Sequence, residues 1–205
     1  MSSATPSWVL ATHNKGKVRE FADLLAPLAI SIQTAGELNL PEPEETGDTF
    51  EANALLKAEA ACAASGRIAL ADDSGIAVPA LDGAPGIYSA RWAGEHKDFA
   101  FAMQRVADEL TTRGVDVNGT PAYFVCVLAV AQPEKPSLTF RGEIHGTLVH
   151  PPRGTHGFGY DPMFIPNGHS DTFGEMDAAY KHGISHRAQA IALFTAWLAE
   201  ASHVR

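Results

Sequence analysis

Ile68-Ala69-Leu70-Ala71-Asp72-Asp73-Ser74-Gly75 is the stretch whose reading decides the fold. Its apolar half reads as a buried strand over Arg67–Ala71. Asp, Ser and Gly are turn formers, so a turn is expected from Asp72 to Gly75, followed by a short strand over Ile76–Val78. Two adjacent carboxylates at a strand end put dense negative charge at a sheet edge, where open α/β sheets bind ligands. Side chains alternate along a strand. Asp72 and Asp73 are therefore expected to point opposite ways, one toward a cleft and one into a local hydrogen bond. Alone, the stretch reads as a polar turn. Its surroundings change that.

Upstream, Ser7–Ala11 is a short apolar strand. A helix follows from Gly16 to Leu25, with Val18, Phe21, Leu24 and Leu25 on one face. Pro27 is expected to end it, and Ile30–Thr34 to form a second strand. Asn39–Gly47 is a proline-rich acidic loop. Asp48-Thr49-Phe50-Glu51 then has capping-box spacing and opens a helix to Ala64, which Gly66 stops. Its buried side is expected to carry Phe50, Ala54, Leu55, Ala58, Ala61 and Cys62. Downstream, Pro79–Gly94 reads as a long loop, Lys97–Arg113 as a helix, and Ala122–Ala131 as a central strand. Leu138–Gly146 is its hairpin partner across Gln132–Pro136. Pro151–Asp161 is a second glycine-rich loop, and Met163–Ile165 a brief strand. A short helix at Glu175–Tyr180 and a last one to Ala201, capped by Ser185, complete the pattern. Helices between strands plus one hairpin indicate an α/β fold with a mixed sheet.

The chain has 205 residues, 45% hydrophobic and 19% charged, ordinary globular composition that buries a core without disulfide staples. One domain over 1–205 is expected, with a loose tail at Met1–Pro6. The net charge of −9 argues against a nucleic-acid partner, which would need a basic face. It leaves room for a small anionic ligand held by local cations. Cys62 and Cys126 read as small buried hydrophobes. No apolar run reaches ~18 residues and no secretory signal is seen, so no membrane partner and a cytoplasmic location are expected.

Four polar clusters sit in loops beside strand or helix ends. Thr12-His13-Asn14-Lys15-Gly16-Lys17 joins a strand to a helix. It reads equally as an anion cradle of backbone N–H groups and as a polar cap with solvated lysines. Glu44-Glu45 is either a solvated acidic loop or, paired with Asp73, a site for a hard divalent cation such as magnesium. Gly157-Phe158-Gly159-Tyr160-Asp161 carries an aromatic between glycines, a stacking platform for a nucleobase or a plug on the core. Lys181 with Ser185-His186-Arg187 supplies donors at a helix start. His182 and His186 are spaced for a metal pair, but Gly183 and Ser185 speak against one continuous helix. An anion cradle, a carboxylate metal site, an aromatic platform and base-edge donors together fit a nucleoside triphosphate with magnesium.

In order, these segments resemble the inosine/xanthosine triphosphate pyrophosphatase family. The resemblance runs through Thr12-His13-Asn14-Lys15-Gly16-Lys17, Glu44-Glu45-Thr46-Gly47, Thr49-Phe50-Glu51-Ala52-Asn53-Ala54 with Lys57, and Ala71-Asp72-Asp73-Ser74-Gly75. It continues in Gly83-Ala84-Pro85-Gly86-Ile87-Tyr88-Ser89-Ala90-Arg91, Gly157-Phe158-Gly159-Tyr160-Asp161-Pro162 and Ser185-His186-Arg187. His13 and Trp92 are small departures from the family pattern. The resemblance implies a long mixed central sheet with flanking helices and two lobes around a nucleotide-binding cleft. It implies hydrolysis of ITP, dITP and XTP to monophosphate and pyrophosphate with Mg2+, and a homodimer. By motif, Thr12, His13, Asn14, Lys15, Gly16 and Lys17 would line the triphosphate. Glu45 and Asp73 would hold magnesium, and Asp73 would also act as general base. Ser74 would contact substrate and Phe158 would stack on the base, with Gly159 and Tyr160 beside it. Asp161, Lys181, His186 and Arg187 would surround the base edge. Two other readings stay open: a nucleotide-binding module without turnover, and a related pyrophosphatase acting on other modified nucleotides.

Overall fold

A computed structural model of the protein describes residues 7–28 and 30–203. The tail expected at Met1–Pro6 lies outside the described residues. The deciding stretch is one continuous strand, β3 (Ala69–Ala77), and not strand, turn and strand. The reason lies at Gly75. A Cβ there would stand 2.4 Å from both the Gly86 carbonyl oxygen and Ser89 Oγ. Ser89 Oγ accepts from Ile76 N at 3.0 Å and donates to Gly86 O at 2.7 Å. The small residues of the motif admit a neighbouring segment closely; they do not reverse the chain.

β3 lies inside a six-stranded sheet. The other strands are β1 (Trp8–Leu10), β2 (Ile32–Thr34), β4 (Pro121–Gln132), β5 (Lys135–Leu148) and β6 (Phe164–Pro166). Their order is β2-β1-β3-β4-β5-β6. β1 runs parallel to β2 and β3, with Val9 opposite both Gln33 and Ala69. Parallel neighbours need long crossovers, and helices α1 (Lys15–Leu25) and α2 (Phe50–Ser65) supply them. β6 pairs antiparallel with β5, so the sheet is mixed and the fold is α/β. α2 starts where Thr49 Oγ1 accepts from Ala52 N and stops at Gly66, which takes the left-handed φ of 66°. No helix among the described residues is long and apolar enough to cross a membrane.

The chain forms two compact units. The first holds the chain up to Asp73, Val127–Arg141, and the chain from Arg187 onward. The second holds Ser74–Cys126 and Gly142–His186. The first unit buries Val9, Leu10, Phe21, Leu25, Ala54 and Phe194. The core of the second is built from Ile76, Val78, Val106, Leu110, Phe124, Phe164 and Phe173.

The remaining helices are α3 (Ser89–Trp92), α4 (Phe99–Thr112), α5 (Ala178–Ile184) and α6 (His186–His203). The expected loop Pro79–Gly94 thus contains α3 and two 3-10 turns, Pro79–Leu81 and Gly86–Tyr88. α1 ends at Leu25, just before Pro27 as expected, and Ala26–Leu28 follows as a 3-10 turn. The helix expected at Glu175–Tyr180 lies further along, where Asp177 caps it by accepting from Ala179 and Tyr180. Leu55 is only partly buried, against expectation.

Candidate functional site

Among the described residues, a polar cluster stands out in each unit. In the first unit it gathers on α2 and β3. Asn53 and Lys57 lie one helical turn apart on the otherwise small, apolar buried face of α2. Asn53 Nδ2 donates to Asp73 Oδ2 at 3.2 Å, and its Oδ1 accepts from Gly47 N at 2.8 Å. This bond ties the acidic loop to α2 and brings Glu45 beside Lys57. Lys57 Nζ lies 2.5 Å from Glu45 Oε1 and 3.6 Å from Asp73 Oδ1. Burial pushes the Asp73 carboxyl above its ordinary range; Lys57 and Lys17 oppose this, and Glu45 and Asp72 add to it. Burial alone would lower the Lys57 pKa, but Asp73, Asp72 and Glu45 outweigh it and hold the ammonium above its ordinary value.

Asp72 has different partners, as strand alternation leads one to expect. Its Oδ2 lies 2.9 Å from Lys17 Nζ and 3.4 Å from Arg187 Nη2. Arg187 Nη1 pairs with Glu20, and the guanidinium carbon stands 5.5 Å from the centre of the Phe21 ring. The resemblance set Arg187 at a base edge. Here its side chain is 1% exposed and its fork is engaged by Glu20 and Asp72.

Between β1 and α1, two of the first N–H groups of the helix are capped by the chain itself. Asn14 Oδ1 accepts from Gly16 N at 2.9 Å and Lys17 N at 3.2 Å, as a strong N-cap does. Thr12 Oγ1 accepts from Asn14 N at 3.2 Å. What this turn presents outward is side-chain charge: Lys15 and His13 are exposed and Lys17 is half-buried.

The cluster of the second unit centres on Asp161. Its Oδ2 accepts from Phe158 N at 2.8 Å and from Lys181 Nζ at 2.7 Å. Gly157 has φ 72°, and a Cβ there would stand 2.1 Å from that same carboxylate oxygen, so only glycine fits. Lys181 Nζ lies 5.1 Å from the centre of the Phe158 ring, a cation–π contact. Phe158 is half-buried. Tyr160 is a core anchor: its hydroxyl donates to Ser89 O at 2.8 Å, and burial pushes its phenol pKa up. The His186 ring stacks on Phe124 at 4.9 Å. His182 is on α5 and His186 on α6, with Ser185 extended between them, so no single helix carries the pair as a zinc motif would need. Ser74 is half-buried within β3.

No three His, Cys, Asp or Glu side chains converge on one point among the described residues. Magnesium does not require that: one or two carboxylates suffice, and water and phosphate complete the shell. Glu45 and Asp73 already face one cation, the Lys57 ammonium. Their hard oxygen donors fit magnesium. Sequence reasoning gave no role to Asn53, Lys57 or Glu20. For the first two a signal existed, because polar residues four apart interrupt an alanine-rich apolar face.

The model of the Ham1 family matches residues 8–197. The dITP/XTP pyrophosphatase of Rhodospirillum centenum is 60% identical over 182 residues, 89% of each chain. That of Rhodopseudomonas palustris is 56% identical over 194 residues, 91% of this chain and 92% of the relative. Among solved structures, a HAM1 protein from Coxiella burnetii superposes with a TM-score of 0.86 at 38% identity, covering 95% of this chain and 99% of the other.

Proposed function

The chain belongs to the Ham1 family, and from that premise we propose that it hydrolyses dITP, ITP and XTP to the monophosphate and pyrophosphate. The observation that carries the reading is the closure of Glu45 and Asp73 on the Lys57 ammonium. It is a carboxylate pair organised around positive charge, next to a lysine-bearing turn. The activity in the names of relatives more than half identical to this chain supports the same reading.

In this proposal Glu45 and Asp73 hold magnesium, which when bound neutralises charge on phosphate oxygens and lowers the pKa of water. Asp73 takes the proton of the attacking water on a carboxylate oxygen. Lys15, Lys17 and Lys57 neutralise the pyrophosphate leaving group. Thr12, His13, Asn14 and Gly16 line the triphosphate, and Ser74 contacts the substrate. Phe158 stacks on the base, on a loop shaped by Gly159, Tyr160 and Asp161. Lys181 and His186 donate toward the base edge, and Arg187 serves by holding Asp72. Donors suit the C6 oxygen of hypoxanthine and xanthine and leave the adenine amino group unmatched, a discrimination that reaches ~10⁴ in sites of this kind. The whole chain is proposed to act as one domain, as a cytoplasmic homodimer.

The test is a panel of nucleoside triphosphates with magnesium, assayed for pyrophosphate and orthophosphate separately. Pyrophosphate from dITP, ITP and XTP, in clear excess over ATP, is the expected result. Binding without product would leave a silent nucleotide module. Orthophosphate, or preference for a pyrimidine, would also overturn the proposal.

A further inference from the structure

We propose that Asn53 is a positioning residue for this site, a single amide that fixes the Glu45 loop and the Asp73 carboxylate relative to each other. The inference deepens the function proposed above and rests on it for its kinetic readouts. Asn53 is fully buried, at 0% exposure, and works at both ends of its amide. Oδ1 accepts from Gly47 N at 2.8 Å and Nδ2 donates to Asp73 Oδ2 at 3.2 Å. The amide is planar, so donor and acceptor are held at a fixed separation and angle. Aspartate would keep the acceptor and lose the donor.

Lys57 also bridges the Glu45 loop and Asp73. An ammonium on a flexible four-carbon stem acts as a point charge and directs neither carboxylate. The direction comes from Asn53. Gly47 has the complementary constraint: a Cβ there would stand 2.7 Å from Asn53 Oδ1 and 3.0 Å from Asn53 N. The glycine lets the loop descend onto the amide. Groups behind metal ligands act in this way, and their loss typically costs about 10–100-fold in metal affinity or activity.

Three variants test it: Asn53→Ala, Asn53→Asp and Gly47→Ala. For each, magnesium affinity is measured without nucleotide by calorimetry, alongside kcat and KM for dITP, the half-saturating magnesium concentration and the melting temperature. The expected result is a 10–100-fold loss in magnesium affinity and in kcat for both Asn53 variants, with KM for dITP within about threefold. Asn53→Asp keeps the Gly47 bond and sets a like charge against Asp73, so it should do no better than Asn53→Ala. Gly47→Ala acts from the loop side and should weaken magnesium in the same direction even if the Asn53 variants fail to fold. A purely structural role would lower the melting temperature and leave kcat per folded molecule and magnesium affinity unchanged, which overturns the proposal. Wild-type magnesium affinity in Gly47→Ala overturns it as well. If the wild-type protein releases no pyrophosphate, the proposed function fails, and the magnesium titrations still decide the role of Asn53.

Discussion

The Lys57 ammonium stands 3.6 Å from Asp73 Oδ1, both side chains less than a tenth exposed. Beside Glu45, and with Lys17 acting on Asp73 as well, it helps make two neighbouring carboxylates tolerable in the absence of metal. Lys57→Met should therefore destabilise the metal-free protein by about 3 kcal/mol, the usual cost of stripping one partner from a buried pair. Magnesium should then stabilise the variant more than the wild type, because it supplies the missing positive charge. Urea unfolding with chelator and with magnesium reads both effects. An equal magnesium increment in the two proteins would show that Lys57 does not balance the carboxylates.

Asp73→Asn preserves shape, and its side-chain oxygen can still accept from Asn53 Nδ2. The fold should survive, with a melting temperature within a few degrees of wild type. Turnover should fall by at least ~10²-fold, the lower range for loss of a general base. Steady-state pyrophosphate release, normalised to folded protein, measures it. Near-normal kcat would move the proton-accepting role to another group.

The order of the elements was legible in the sequence, and the reading departed from the structure where a side chain substitutes for backbone. Asp72 to Gly75 has the composition of a turn, yet Ser89 Oγ satisfies Ile76 N and the strand runs on. For the turn holding Asn14 an anion cradle and a polar cap were equally readable, and Asn14 Oδ1 does cap Gly16 N and Lys17 N. The alternation that separates Asp72 from Asp73 was legible, because period-2 geometry needs only local sequence. The partners were not. Lys17 from α1 and Arg187 from α6 reach Asp72, and Glu20 holds Arg187; nothing local in the sequence encodes that meeting. In the Phe158 loop the sequence left platform and plug both open, because two glycines beside an aromatic do not say which way the ring turns.

Tyr160 offers a pH readout away from the carboxylates. Its phenol pKa is raised by burial, with Arg105 opposing. The neutral form is therefore favoured in the folded state. The stabilisation is complete below the unfolded value of about 10 and is lost as pH rises above it. Wild-type stability should fall between pH 9 and pH 11, and Tyr160→Phe should flatten that slope. At neutral pH the variant should lose about 1 kcal/mol with the hydrogen bond to Ser89 O. Urea midpoints across that range check the sign; equal slopes in both proteins would mean that Tyr160 does not resist ionisation.

Phe158→Ala separates platform from plug. The ring is half-buried, with the Lys181 ammonium 5.1 Å from its centre and its backbone N–H held by Asp161. Those contacts orient the ring and leave part of it open to a ligand. Base–aromatic stacking is worth about 1–3 kcal/mol, which corresponds to roughly 5–150-fold in binding. KM for dITP should rise within that range and kcat should change less, because the ring is not among the groups proposed to act on the phosphorus. Magnesium affinity should be untouched, since Glu45 and Asp73 belong to the other cluster. A core plug would behave differently, with a melting temperature lower by several degrees and unchanged KM. Measuring KM and melting temperature on the same preparation tells the two apart.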